Sequence, residues 1–291
     1  MSVNSTLTSN TIHHPFFHCS DVTVNFIISV AFTVTKFLLL HPLSILVLYL
    51  GHQQWRRQRS TTMSHSDFFT VQMAAMELIS ESGWVLLCCG SYADRPVMSI
   101  VGIYLCFIIF PGQTFFHILT CVEQYLAVVH PVTYLGLRHS AGVRIRNIST
   151  GCVWLLCFGW IGVTALYVPE FPIIPFLGFL IFSLFVVSFC SLSVLHVLIR
   201  PGPGEVGGDR EQVNQSKQRA FHTIMAIMGV LCLMLVGILV CVALDASPLL
   251  SNTDGCVVMI SAIWFSLPSS LVLPLLFLHR AGKLQCGSNA D

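Results

Sequence analysis

Three ionisable residues lie within apolar stretches long enough to cross a bilayer, where a charge can pair, bind an ion or contact a ligand. Lys36 is in the first stretch, and Glu77 and Glu81 are one helical turn apart in the second. At about 1.5 Å per helical residue, Lys36 and Glu81 lie roughly 21 Å above the same edge of their helices. We predict a Lys36–Glu81 ion pair, because a charge at bilayer depth is costly without a partner. Two alternatives stay open: a pair that only orients the helices, and a lysine that reaches the membrane surface.

Four ring-bearing side chains are the candidate lining of a ligand pocket. Tyr104, Phe107 and His117 lie in the third apolar stretch, and Trp264 lies in the seventh. Buried rings offer a large contact area, and most of them add one polar atom that can orient a ligand. The alternative is that these rings only pack within the protein, with His117 hydrogen-bonded between helices.

The composition of the 291 residues excludes water as the main solvent of the folded chain. Hydrophobic residues make up 55% and charged residues 9%, whereas soluble domains contain roughly 25% charged residues. The net charge of +1 gives no reason to expect nucleic acid as a partner. We therefore expect membrane lipid around most of the surface.

Apolar stretches of spanning length recur along the whole chain. They predict an all-α membrane protein, a seven-transmembrane helix bundle with no second globular domain. Residues 1–25 would form an outer tail, and residues 279–291 a short cytosolic tail. The predicted spans are residues 26–50, 68–90, 97–129, 148–168, 173–199, 220–244 and 256–278.

The basic residues fall on one side of this arrangement. Only Lys36, inside the first span, and Arg95 depart from it, and the positive-inside rule makes the basic side cytosolic. The N-terminus is therefore predicted outside, in a multi-pass protein of the plasma membrane, with the first span a retained signal anchor. The sequon at Asn4 would then be open to glycosylation. The twelve residues on the basic side are Arg56, Arg57, Arg59, Arg138, Arg144, Arg146, Arg200, Arg210, Lys217, Arg219, Arg280 and Lys283.

Motifs for metal binding and catalysis are missing from the sequence. The 12 cysteines include no C-x-x-C pair, which argues against a zinc site. Neither H-E-x-x-H nor G-x-S-x-G occurs, and the predicted spans contain no aspartate. We expect no metal, no cofactor and no enzymatic activity.

The end of the third span carries the most specific motif. Glu123, Gln124 and Tyr125 open the segment E-Q-Y-L-A-V-V-H-P, which resembles the D/E-R-Y-x-A-V-x-x-P segment of rhodopsin-like (class A) G-protein-coupled receptors. In that family the arginine pairs with the acid and meets the G protein on activation. Here Gln124 stands in its place.

Other similarities to this family follow in the expected order. M-A-A-M-E, ending at Glu77, looks like L-A-x-x-D, and Trp154 resembles the single tryptophan of span four. L-P-L-L-F, with Pro274 and Phe277, is similar to N-P-x-x-Y. The C-W-x-P motif of span six, the asparagine of span one and the usual disulfide from span three are missing.

The resemblance implies a receptor that carries a signal from an unidentified outer ligand to a heterotrimeric G protein. A neutral Gln124 can only hydrogen-bond with Glu123, so the switch loses most of its electrostatic bias, and we expect high basal activity or none. Two alternatives stay open. One is a non-signalling ligand-binding or partner protein, and the other is a small transporter or channel subunit with Lys36, Glu77 and Glu81 along its path.

The resemblance also assigns individual sites. Glu77 matches the family's sodium-binding acid, with Ser269 and Ser270 as helpers, although a protonated Glu77 bonded to those hydroxyls is an alternative. Lys36 and Glu81 would lie near the opening of the ligand pocket.

Three cysteines have further predicted roles. The outer positions of Cys19 and Cys256 resemble the second outer disulfide of chemokine and nucleotide receptors, with two free thiols as the alternative. Cys286, close to the membrane in the place of the family's short eighth helix, is a palmitoylation candidate, or else an ordinary free cysteine.

Overall fold

The computed structural model describes residues 23–57, 64–137, 140–167, 173–199, 209–245, 247 and 252–288. Within these ranges the chain forms helices and no strand. The helices are α1 (Thr23–Arg57), α2 (His65–Tyr92), α3 (Pro96–Phe107), α4 (Ile109–Val129), α5 (Pro131–Leu137), α6 (Ser140–Tyr167), α7 (Ile173–Ile199), α8 (Asp209–Asp245), α9 (Asn252–Ser261), a 3₁₀ turn (Ala262–Ser266) and α10 (Leu267–Ser288).

In the described ranges, seven helical segments are long and apolar enough to cross a membrane, which agrees with the predicted number of spans. The chain is an all-helical, multi-pass membrane protein by this measure. The first two segments run in opposite directions, since Lys36 meets Glu77 whereas Gly51 approaches Val71. The segments are Thr23–Arg56, His65–Tyr92, Pro96–Val129, Gly142–Leu166, Ile173–Val197, Gln218–Asp245 and Val257–Arg280.

Several helices extend beyond the apolar residues that predicted them. α1 continues to Arg57, α8 begins at Asp209, and α10 runs to Ser288 without a separate helix after residue 278. Hydropathy marks the part of a helix that suits lipid, whereas backbone hydrogen bonds continue through polar residues as well. The predicted boundaries therefore describe the apolar part of each helix and not its ends.

Two spans are interrupted where a proline follows. α3 ends at Phe107 and α4 begins at Ile109, because Pro111 has no N–H to donate to the carbonyl of Phe107. In the same way Pro268 cannot bond to Trp264, and the backbone there tightens into the 3₁₀ turn Ala262–Ser266.

The centre of the bundle is α2 together with span three, which α3 and α4 form. Half of the most apolar window of each is buried, against 22% in α1. Glycines bring α2 and α3 close together: a Cβ added at Gly83 would lie 2.7 Å from the backbone nitrogen of Cys106, and one at Gly90 would lie 2.6 Å from that of Ser99. Small residues allow this approach where helices pack in membranes. Large apolar side chains such as Leu155 and Phe185 point outward instead, where lipid would contact them.

Candidate functional site

A buried ion pair joins α1 and α2. The Nζ of Lys36 lies 3.0 Å from Oε2 of Glu77, and the two side chains are 4% and 0% exposed. The predicted partner, Glu81, is therefore wrong by one helical turn. The depth estimate compared backbone positions, whereas the long lysine side chain extends to the deeper of the two carboxylates.

Glu81 has a different partner, which the sequence analysis missed. Its Oε2 lies 2.8 Å from Nδ1 of His41, on α1. The His41 ring stacks on Phe37 with 4.6 Å between centroids, and its side chain remains 37% exposed, whereas that of Glu81 is 5% exposed. The available signal was His41 itself, a second titratable residue in span one, five positions after Lys36.

The two serines predicted to help Glu77 bind an ion have other partners. Ser269 Oγ lies 3.0 Å from Nε2 of His117, and Ser270 Oγ accepts a hydrogen bond of 3.1 Å from Nε2 of Gln113. Both contacts tie α4 to α10 in the buried interior. The cation beside Glu77 is the lysine ammonium, and no group of three or more His, Cys, Asp or Glu in the described ranges could hold a metal ion.

An aromatic cluster lies directly beside the ion pair. The Phe32 ring centroid is 4.9 Å from that of Trp84 and 5.4 Å from that of Trp264, both edge-on. On its other side, Lys36 Nζ lies 5.9 Å from the Phe32 centroid. The lysine ammonium is therefore held between a carboxylate and an aromatic ring.

A cavity of about 210 Å³ opens above this cluster, near the end of the bundle where α2 ends and α3 begins. Of the six residues predicted to line a ligand pocket, only Phe107 contributes to the lining. Trp264 is not part of this lining and packs on Phe32 instead. The lining is Asn25, Phe26, Ser29, Trp84, Leu87, Cys88, Ser91, Ser99, Ile103, Cys106, Phe107, Phe110, Ile173, Phe176, Met234, Ile238, Met259, Ile260, Ala262, Ile263 and Ser266.

The remaining predicted pocket residues lie elsewhere. Lys36, Glu81 and His117 are buried in the polar interior, and Tyr104 is half-buried on α3 outside the cavity lining. Ring type alone does not separate the rings that line a cavity from the rings that pack in the core. Five of the 21 lining residues are aromatic, and the others are aliphatic, small or neutral polar residues of the kinds that also fill the core.

Glu123 is buried at the opposite end of the bundle. Its Oε1 accepts hydrogen bonds of 3.3 Å from Ser64 Oγ and from Tyr134 OH. Tyr125 OH lies 3.2 Å from Nε2 of His130, the residue that follows the end of α4. Glu123 is thus held by neutral hydroxyl donors from the start of α2 and from α5.

The same end contains an ion pair that the sequence analysis did not anticipate. Arg280 Nη1 lies 3.4 Å from Oδ1 of Asp67 and donates a 3.2 Å hydrogen bond to Ser66 Oγ. It joins the end of the seventh span, in α10, to the start of α2. The signal was present as an acid opening span two and a base closing span seven on the same predicted side.

Three family-derived positions can also be located. Pro274 lies inside α10 without breaking it, and Phe277 is buried with Val47 of α1 and Ala74 of α2. Trp154 Nε1 donates a 3.2 Å hydrogen bond to Oε1 of Gln72, which ties α6 to α2.

Four predicted modification sites are not tested by these contacts. Asn4 and Cys19 lie outside the described residues. Cys256 and Cys286 fall in α9 and α10, but their side chains lie outside the described part. The disulfide, the glycosylation and the palmitoylation stay predictions.

Comparison with known proteins adds no relative: neither a protein-family model nor a curated protein sequence matches this chain. Functional inference therefore depends on the residues and contacts described above.

Proposed function

We propose that the chain is a seven-helix receptor that transmits the binding of an outer ligand to a heterotrimeric G protein, as its resemblance to rhodopsin-like receptors implies. The observation that carries the proposal is a cavity at one end of the bundle and the buried Glu123 motif at the other. A two-state bundle can link such sites if both bias the same helices.

Buried contacts lead from the cavity toward the interior. Trp84 lines the cavity and touches Phe32, and Phe32 lies beside the Lys36–Glu77 pair. A ligand that displaces Trp84 would therefore alter the environment of the ion pair. This cluster is the candidate substitute for the missing C-W-x-P motif of span six.

Glu77 continues the link along α2 toward the other end. Asp67, ten positions earlier on the same helix, pairs with Arg280, and Ser64 before it bonds to Glu123. Movement of α2 along or about its axis would act on both contacts. The absence of a charged partner at position 124 leaves Glu123 with neutral donors, which favours a high basal activity.

Orientation and location belong to the same proposal. The basic residues around Arg56, Arg146 and Arg280 support a cytosolic position for the Glu123 end, and so an outer position for the cavity. We propose the plasma membrane as the location. Epitope tags at the two termini should be accessible on opposite faces of the membrane, and tags on the same face would contradict this topology.

Basal signalling tests the receptor function without knowledge of the ligand. Wild type, Gln124→Arg and the neutral control Gln124→Met are expressed at matched surface levels, and second-messenger and G-protein dissociation readouts are compared with a mock control. We expect basal activity in wild type and Gln124→Met, and a lower activity in Gln124→Arg, because the new guanidinium can pair with Glu123 in the resting state. Signals equal to mock in all three would contradict the proposal.

The helix interruptions favour one alternative, a transporter or channel subunit, since broken helices surround the substrate sites of transporters. The alternative predicts solute-dependent uptake or current in vesicles that contain the purified chain. We expect neither, because span three continues as one 34-residue segment, Pro96–Val129, across its break.

A further inference from the structure

The chemistry of the cavity restricts what it can bind. Among the residues that the structure describes, none in the lining is an Asp, Glu, Lys, Arg or His. Its polar groups are few and neutral, and the hydroxyls of Ser29, Ser91 and Ser99 are among them. Aromatic and aliphatic side chains such as Trp84 and Ile238 form most of the surface. A bound charge would find no ionic partner in this lining.

The nearest buried carboxylates are already engaged. Glu77 is paired with Lys36, and Glu81 is hydrogen-bonded to His41. Only Oε2 of each acid has such a partner, and Oε1 of each is buried without one, but neither acid is among the described residues that line the cavity. Burial of an unpaired charge in an apolar site is strongly unfavourable. A charged ligand in the cavity would therefore lack an ionic partner in the described lining.

The volume sets the size of the ligand. A cavity of about 150 Å³ lined by apolar side chains holds one benzene ring, so the 210 Å³ found here suits one or two fused rings or a short alkyl chain. The neutral hydroxyls of the lining can each exchange a hydrogen bond with one polar group of the ligand.

We propose that the ligand is a small, uncharged, mainly apolar molecule with a single hydroxyl or carbonyl group. The inference rests on the proposed function in taking this cavity as the ligand site of the receptor. A free small molecule and an acyl chain of the surrounding bilayer share this chemistry. The binding measurement separates these two sources.

Three probes with one ring system test the charge preference: 2-naphthalenemethanol is neutral, 2-naphthalenemethylamine is cationic and 2-naphthoic acid is anionic at pH 7. The melting temperature of the purified full-length chain is measured with each probe, in digitonin and in phosphatidylcholine nanodiscs. We expect the alcohol to raise the melting temperature, because a ligand that binds only the folded state stabilises it. The charged probes should require at least about tenfold higher concentrations.

Matched variants assign the effect to the cavity. Ile103→Trp fills it from α3, and Val101→Trp places the same side chain on an exposed face of that helix. The alcohol should stabilise Val101→Trp as it does wild type and should not stabilise Ile103→Trp. Ser29→Leu, which narrows the cavity from α1, is the second filling variant and keeps the test valid if Ile103→Trp does not fold.

Each outcome bears on the inference. A charged probe that acts at an equal or lower concentration overturns it, as does no shift with any probe. An equal shift in wild type and the filling variants means partition into the micelle and also overturns it. A shift in digitonin that vanishes in nanodiscs supports the apolar chemistry with an acyl chain as occupant. Binding of the alcohol alongside silent wild type and Gln124 variants would retain the ligand class and reject the receptor function.

Discussion

In the described part of the chain, two pairs of a lysine or arginine with a carboxylate tie α2 to its neighbours, and they differ in their access to water. Lys36–Glu77 joins α1 and α2 with side chains that are 4% and 0% exposed, whereas Arg280–Asp67 joins α10 and α2 with side chains that are 32% and 19% exposed. The distance between nitrogen and oxygen is 3.0 Å in the first pair and 3.4 Å in the second.

The difference in burial predicts different roles for the two pairs. A buried charge that loses its partner has no water to replace it. The Lys36–Glu77 pair, called the inner pair because it is buried, should therefore stay closed in the folded protein. The Arg280–Asp67 pair, called the outer pair for its greater exposure, is in part open to water, although Oδ1 of Asp67 is itself buried, so losing a partner there should cost less than in the inner pair. We infer that the inner pair fixes the arrangement of α1 and α2, and that the outer pair is free to open when α2 moves.

The largest expected effect comes from breaking the inner pair on one side only. Lys36→Met leaves Glu77 charged and unpaired, and we expect a loss of about 3–5 kcal/mol in the free energy of unfolding. The double variant Lys36→Met/Glu77→Met should recover most of this loss, since neither charge remains. Thermal unfolding of the purified variants in one detergent measures both. A double variant less stable than the single one would contradict this account of the pair.

A smaller loss is expected from crowding the close contact beside the inner pair. Gly83→Ala places a methyl group against the backbone of Cys106, and overpacking of this kind costs about 1–3 kcal/mol. Gly159→Ala on α6 is the control, because a Cβ there meets nothing within 4 Å. Unfolding in the same detergent should separate the two, and equal stability would show that α2 and α3 are less closely packed than described.

The smallest effect on stability should come from the outer pair. Arg280→Gln and Asp67→Asn should each lower the free energy of unfolding by roughly 1 kcal/mol or less. The coupling energy from the double-mutant cycle should fall as salt is raised from 0.05 M to 1 M, about the range over which exposed charges become screened. Both should raise basal signalling, because the contact between α10 and α2 then opens more readily. A loss as large as that of Lys36→Met would remove the distinction between the two pairs.

The features of this fold that could be predicted from the sequence are those with a strong local signal. Apolar length identified the seven spans, and the cost of a charge at bilayer depth identified Lys36 as a residue in need of a carboxylate. Which carboxylate Lys36 binds depends on how α1 and α2 are shifted along each other and on the length of the lysine side chain. In the structure Lys36 binds Glu77, and Glu81 contacts His41.

The site was less accessible to prediction, since it depends on contacts between distant segments. The cavity lies between residues from α1, α2, α3, α4, α7, α8 and α9 and the 3₁₀ turn. No local pattern distinguishes an apolar side chain that lines a space from one that fills it. The Arg280–Asp67 pair spans most of the chain in the same way. Only Phe107 among the predicted pocket residues was placed correctly.

The central claim is that the state of the cavity governs the Glu123 end of the bundle. It is tested most directly by measuring basal nucleotide exchange on heterotrimeric G proteins with the full-length chain in phosphatidylcholine nanodiscs, for wild type, Ile103→Trp and Val101→Trp. The account predicts that wild type accelerates exchange, that filling the cavity with Ile103→Trp changes the rate, and that Val101→Trp, on the exposed face of the same helix, matches wild type. Identical rates for wild type and Ile103→Trp, or no acceleration by any of the three, would contradict it.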